Sequence, residues 1–225
     1  MAAASSVLHQ LPDKALLDGE AKRLCLLAAL LLPLREIDVT QSGGKAAKQA
    51  KTMAAYLIRE SLKRRVKDGD VVDALHKDAV TFLEVWRELK GSGDSPELRT
   101  KLGQSIRRLK DMWPAAAVIA PILQAQVAAP LGVESAWEPA TAARTDVTDS
   151  AACCCELIDA VHAFKLEKAH ELKPMMDGKA IMRVLEMKAG GPALGKATAK
   201  VMNWQLANPT GTVEQCAAML RAEKL

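Results

Sequence analysis

Apolar residues recur at intervals of three and four along most of the chain, and no stretch alternates apolar and polar positions over a strand's length, so the pattern predicts helices throughout. Lys14 to Leu34 reads as a first helix, with Asp13 as N-cap behind Pro12 and Pro33 as its stop. Gln41-Ser42-Gly43-Gly44 is a turn. A second helix is predicted from about Lys45 to Lys67, with Ala54, Ile58 and Leu62 inward and Lys51, Arg59, Lys63 and Lys67 on the outward face. Asp68-Gly69-Asp70 ends that helix and offers Asp70 as the cap of a third, in which Val72, Leu75, Ala79, Phe82 and Trp86 keep helical spacing. After a loop from Gly91 to Pro96, a fourth helix from Glu97 to Trp113 places Leu98, Leu102, Ile106, Leu109 and Trp113 inside. Pro114 then sits in the first turn of a short apolar helix.

Pro130, Gly132, Pro139 and several threonines make Ala128 to Ser150 the best place for an irregular connection or an insertion. Ala151 to His170 is predicted helical. Lys173-Pro174, Gly190-Gly191-Pro192 and Asn208-Pro209-Thr210-Gly211 then divide the remainder into three helices. The expected organisation is an elongated all-α protein without a sheet, with a helical body over 1–127, the connection over 128–150 and a helical tail over 151–225.

Composition supports that class. Of 225 residues, 49% are hydrophobic but only 3% aromatic, a bias toward straight-chain helix formers over β-branched and ring residues. The longest apolar run, Leu24 to Leu32, is closed by Pro33 and is far shorter than the roughly 18 residues a membrane span requires. Met1 to Val7 lacks the basic flank of a secretory signal and the arginine-rich pattern of a transit peptide, although an abbreviated transit segment is compatible with it. The five cysteines include an adjacent trio, Cys153, Cys154 and Cys155. Successive helical residues diverge by about 100°, so the trio cannot converge on a metal; reduced thiols in an intracellular, reducing compartment are expected.

The net charge of +4 and pI of 8.8 say little until its placement is considered. Between Lys45 and Lys67 eight basic residues face a single acid, Glu60. Such a face is either simply solvated or a track for phosphates. Catalytic patterns are weak by comparison. Asp68-Gly69-Asp70 has the spelling of a metal-binding pair, but no strand precedes it. Gly43-Gly44-Lys45 lacks Walker spacing, the four histidines lack zinc-protease spacing, and Ser61 and the cysteines lack an oriented base. The chain therefore reads as a binding surface.

One resemblance adds to this reading. Leu172-Lys173-Pro174-Met175-Met176-Asp177-Gly178-Lys179-Ala180-Ile181-Met182, then Lys188-Ala189-Gly190-Gly191-Pro192, Asn203-Trp204-Gln205-Leu206-Ala207-Asn208-Pro209 and Gly211-Thr212-Val213-Glu214-Gln215-Cys216 resemble the C-terminal tail of eukaryotic CCA-adding enzymes, the tRNA nucleotidyltransferases, nearest to the plant-like branch. Upstream, Leu32-Pro33-Leu34-Arg35, Ile58-Arg59-Glu60-Ser61-Leu62-Lys63-Arg64 and Ile106-Arg107-Arg108-Leu109-Lys110-Asp111-Met112-Trp113 are similar to the helical body of the same enzymes, in the same order.

In that family a separate N-terminal head holds the nucleotide and two metal-binding carboxylates. The resemblance therefore implies the body and tail that grip tRNA, with Mg2+ and CTP or ATP belonging to the full enzyme and no cofactor bound by this chain. It implies tRNA as partner, a catalytic head as a further one, no transfer by the chain alone and no membrane. Cytoplasm, nucleus, mitochondrion and plastid all stay open. A helical adaptor that docks proteins is the alternative. The phosphate contacts expected in the body are Lys51, Arg59, Lys63, Arg64, Arg107 and Lys110. Those expected in the tail are Lys179, Lys188, Gly190, Gly191, Lys196 and Lys200. Gly190-Gly191 ahead of Pro192 leaves an open helix N-terminus beside Lys188, suited to a backbone phosphate. Lys196 and Lys200 follow one turn apart, and Thr212 with Gln215 has capping-box spacing. Asp177-Gly178-Lys179 fits a capped helix start and an RNA contact equally well.

Overall fold

The computed structural model describes residues 9, 17–39, 52–128, 147–187 and 189–222. Among these the fold is all-α. The single β feature is an isolated antiparallel bridge between Asp38 and Thr52. The expected Asp13 cap, the Gln41–Gly44 turn and most of the 128–150 connection lie outside the described residues.

Helix α1 spans Gly19–Leu31 and starts where Asp18 accepts the Ala21 N–H at 2.6 Å. Pro33 follows in a 3-10 turn, Leu32–Leu34, as its missing N–H requires. The second predicted helix is much shorter than expected. Thr52 caps α2, Met53–Tyr56, and the backbone then widens into a π turn, Leu57–Ser61. Ala54 and Ile58 are buried as predicted, but the widened turn swings Leu62 outward to 49% exposure.

Asp68-Gly69-Asp70 does not end a helix. Those residues lie in the opening turns of α3, Val66–Ser92, a 27-residue helix with Arg65 as N-cap. Local turn chemistry is overridden by tertiary contact, because Gly69 packs on Ala55, with room for a Cβ only at 3.4 Å, and the Asp68 carboxylate is buried against arginines. Gly91 and Ser92 continue the helix, and Gly93, at φ +69°, terminates it.

Ser95 caps α4, Pro96–Leu109, through the Leu98 N–H. The predicted fourth helix breaks at Lys110, φ +53°, into a 3-10 turn over Lys110–Met112 before α5, Trp113–Ala128. Helix α6 runs Val147–Ala163 and is followed by turns to Leu172 rather than by helix to His170. Among the described residues three tail helices follow: α7, Gly178–Leu185; α8, Pro192–Ala207; α9, Val213–Ala222.

The main core gathers α1, α3, α4, α5 and α6. Phe82, Leu75, Leu98, Leu102, Ile106, Leu157 and Ile158 are fully enclosed there; each such side chain contributes about 1.5–3 kcal/mol through burial. A second cluster holds α7, α8 and α9 together through Met176, Ile181, Ala197, Val201, Cys216 and Leu220. Helix α8 belongs to both, because its later residues Met202 and Leu206 enter the main core. Among the described residues, no helix is long and apolar enough to cross a membrane.

Candidate nucleic-acid interface

The basic residues of the body are largely occupied with one another's neighbours. Lys51 lies outside the described residues. Arg59 and Lys63 both pair with Glu60, at 3.2 and 3.8 Å, and Lys63 adopts φ +50° beyond the π turn, so the helix expected to carry Arg59, Lys63 and Lys67 at spacings of four does not continue through Lys63. Arg64 turns to Asp68 at 3.4 Å. Arg23 and Arg65 join it there, at 3.1 and 3.5 Å, and both also reach Glu20. Three guanidiniums thus share two carboxylates. The hydrogen bond from Arg23 holds the Glu20 carboxyl below its ordinary range. This cluster ties the start of α1 to the start of α3 and leaves Arg65 72% exposed.

Arg107 donates to the carbonyls of Ala169 and Leu172, each at 2.7 Å, and so fixes the turns that lead from α6 into the tail. Arg99 does the same at the carbonyl of Phe164, at 3.0 Å. Lys110 is exposed at the end of α4.

The tail differs in charge. From Lys173 to Leu225 there are eight Lys and Arg against four Asp and Glu, a net of +4 that equals the charge of the whole chain; residues 1–172 are balanced, 23 against 23. Lys179 and Arg183, one turn apart on α7, are exposed and make no ion pair among the described residues. Lys196 and Lys200 are likewise exposed and one turn apart on α8. Lys188 lies outside the described residues.

Gly191 is the N-cap of α8, at φ +145°, with no side-chain cap, and Pro192 occupies the first helical position. A Cβ added at Gly191 or Gly195 would meet nothing within 4 Å. The first-turn amides of α8 are therefore approachable by a bulky anion, with the positive end of the helix dipole behind them. Gly190 lies beside this cap, near Leu194.

Asp177 caps α7 through the Ala180 N–H at 2.7 Å. Thr212 and Gln215 form the expected reciprocal cap of α9: the Gln215 N–H donates to Thr212 Oγ1 at 3.3 Å, and Gln215 Oε1 accepts from Thr212 N–H at 3.0 Å. Between these two helix starts lies a cleft of about 530 Å³, lined in part by Met175, Lys179, Arg183 and Val213. Arg183 was absent from the sequence expectation, although its spacing of four from Lys179 is a readable signal. Arg23 and Arg65 were absent too, and only the fold brings them to Asp68.

Other chemistry finds little support. Burial pushes the Cys25 and Cys153 thiols up to about 12 and raises those of Cys154, Cys155 and Cys216 as well. Such thiols are poor nucleophiles. All five are unpaired. His162 meets Glu167 at 2.6 Å, but its other nitrogen is buried and its ring stands edge-on to Trp113. Among the described residues no three His, Cys, Asp or Glu side chains are grouped to hold a metal ion.

No protein-family profile matches the sequence, and no solved structure matches it. Among curated proteins it is 24% identical over 202 residues to the mitochondrial CCA tRNA nucleotidyltransferase of Saccharomyces cerevisiae, which covers 88% of this chain and 34% of that protein. It is 20% identical over 197 residues to the protein of the same name from Candida glabrata, with the same coverage. Over a shorter stretch of 69 residues, 31% of the chain and 14% of the relative, it is 36% identical to tRNA nucleotidyltransferase cca2 of Schizosaccharomyces pombe. The chain spans about a third of the length of the first of these relatives. Over most of its length it is therefore a distant relative of proteins named CCA tRNA nucleotidyltransferase.

Proposed function

We propose that this chain is the tRNA-binding body and tail of a CCA-adding enzyme of the plant-like branch, acting with a nucleotide-binding head. The similarity that runs through 202 residues carries this reading, and the tail's charge supports it. A surface that concentrates the chain's net charge attracts a polyanion, and phosphate contacts position RNA without reading its sequence. No transfer step is assigned to this chain, and Mg2+ with CTP or ATP is assigned to the head. The proposed contacts are Lys179, Lys188, Lys196, Lys200 and the Gly190–Gly191 backbone in the tail. In the body they are Lys51, Arg59, Lys63, Arg64 and Lys110, with Arg107 shaping the junction. The organisation into a body over 1–127, a connection over 128–150 and a tail over 151–225 is part of the same proposal, as is an intracellular site of action.

Filter binding to tRNA across a salt series tests this reading. Four phosphate contacts lose about a hundredfold in affinity between 50 and 200 mM salt, and Lys196→Glu with Lys200→Glu flattens that slope. Affinity indifferent to salt refutes phosphate gripping. Incorporation of labelled CTP or ATP by the pure chain refutes the assignment of transfer to a head. A protein-docking adaptor is the second reading, favoured by the exposure of Leu30, Ile37, Leu62 and Val66. A chain without tRNA affinity at low salt would select it.

A further inference from the structure

Two concave sites are lined by charged and apolar groups together, and they differ in whether the charges are already satisfied. In the groove between α3 and α6, Lys90 lies 4.1 Å from the Trp86 ring centre and 3.9 Å from Glu156, while Trp86 Nε1 donates to Glu156 at 2.6 Å. Asp159 lines that groove too, so its one cation is already paired and its net charge is negative. In the cleft at the start of α7, Lys179 and Arg183 make no ion pair among the described residues, and Pro174, Met175, Met176 and Val213 supply apolar walls.

The walls are held by hydrogen bonds from three directions. Gln205 of α8 accepts from the Met175 N–H at 3.0 Å and donates to the Lys173 carbonyl at 3.2 Å, fixing the approach to α7. Asp177, which also lines the cleft, commits one oxygen to the Ala180 N–H. The Thr212–Gln215 cap sets the start of α9, whose first residue is Val213. A cleft of about 530 Å³ is within the usual range for a small ligand.

We infer that this cleft takes a single unstacked nucleotide, its phosphate between Lys179 and Arg183 and its base against the methionines, Pro174 and Val213. Arginine offers a forked donor to phosphate oxygens, and thioethers present a soft, polarizable surface to a ring face. The inference rests on the RNA-binding reading for one point, that the nucleotide belongs to an RNA strand rather than to the free pool.

The test uses the full chain with three probes titrated separately by calorimetry: a single-stranded RNA hexamer, cytidine 5′-monophosphate and inorganic phosphate. The hexamer binds most tightly, the mononucleotide next, and phosphate about tenfold more weakly than the mononucleotide, since it forfeits the apolar contact. Val213→Trp fills the cleft at constant charge and weakens hexamer and mononucleotide about tenfold; Arg183→Ala does the same by losing a charge-assisted hydrogen bond. Lys77→Ala, an exposed position on α3 outside the proposed contacts, leaves the mononucleotide unchanged. Thermal melts confirm that each variant is folded.

Phosphate binding as tight as that of the mononucleotide, no binding of the mononucleotide, or a silent Val213→Trp each overturns the inference. Equal affinity for mononucleotide and hexamer overturns the RNA source. Failure of the tRNA reading is separately visible: wild-type tRNA affinity is then absent while the mononucleotide titration still reports on the cleft. If only the cleft is wrong, tRNA binding persists and Val213→Trp changes nothing.

Discussion

Asp78 of α3, 1% exposed, is held by the Arg108 guanidinium of α4, which Ser105 also supports through its hydroxyl at 3.2 Å. A carboxylate this deeply enclosed depends on its partner, because an unpaired charge cannot recover its lost hydration inside the protein. Arg108→Ala is expected to cost about 2–4 kcal/mol, measured as a shift in the urea midpoint. Replacing both residues with leucine costs less than the two single replacements added together, which a double-mutant cycle reads directly.

Gly211 lies under the ring of Trp204. A Cβ there would be 2.7 Å from Trp204 Cζ3 and 3.1 Å from the Asn208 carbonyl, so neither a rigid ring nor the backbone gives way cheaply. Gly211→Ala is expected to destabilise by about 1–3 kcal/mol and to lower the melting temperature. Adding Trp204→Leu restores part of the loss by removing the ring.

His76 is buried between α1 and α3, with Nε2 2.8 Å from the Ala28 carbonyl and Nδ1 without a partner. Burial depresses its pKa below the ordinary value near 6.5; the Arg35 charge adds to this, while Ala28 and Asp73 oppose it. The folded protein therefore binds this proton less readily than the unfolded chain does. The stabilising contribution is complete above about pH 6.5 and is lost as pH falls through the folded value. Urea midpoints of wild type and His76→Gln, compared between pH 7.5 and 5.5, are expected to show the steeper decline in wild type.

Helix identity was legible wherever apolar spacing was long and regular. Val72, Leu75, Ala79 and Phe82 are buried as their period requires, and so are Leu98, Leu102, Ile106, Leu109 and Trp113. Boundaries failed where a local signal met a distant partner. Asp-Gly-Asp spells a turn, yet Arg23, 45 residues away, helps hold Asp68 inside a helix. No window of neighbouring residues contains that information. The π turn at Leu57–Ser61 was equally hidden, since its sequence keeps ordinary helical periodicity.

For the tail, capping chemistry did most of the work. Asp177, Gly191-Pro192 and Thr212–Gln215 all mark helix starts that short-range rules identify. The cleft between two of those starts was invisible, because it depends on how α7 and α9 meet across α8. The charge imbalance between the tail and the rest is present in the sequence, although the densest basic run, Lys45–Lys67, lies in the part whose charges balance.

Helix α8 seats Ala197 and Val201 in the small cluster and Met202 and Leu206 in the large one. One rigid rod is thus mortised into both halves, with no joint between them. Whatever grasps the tail therefore also pulls, through that helix, on the packing of the body.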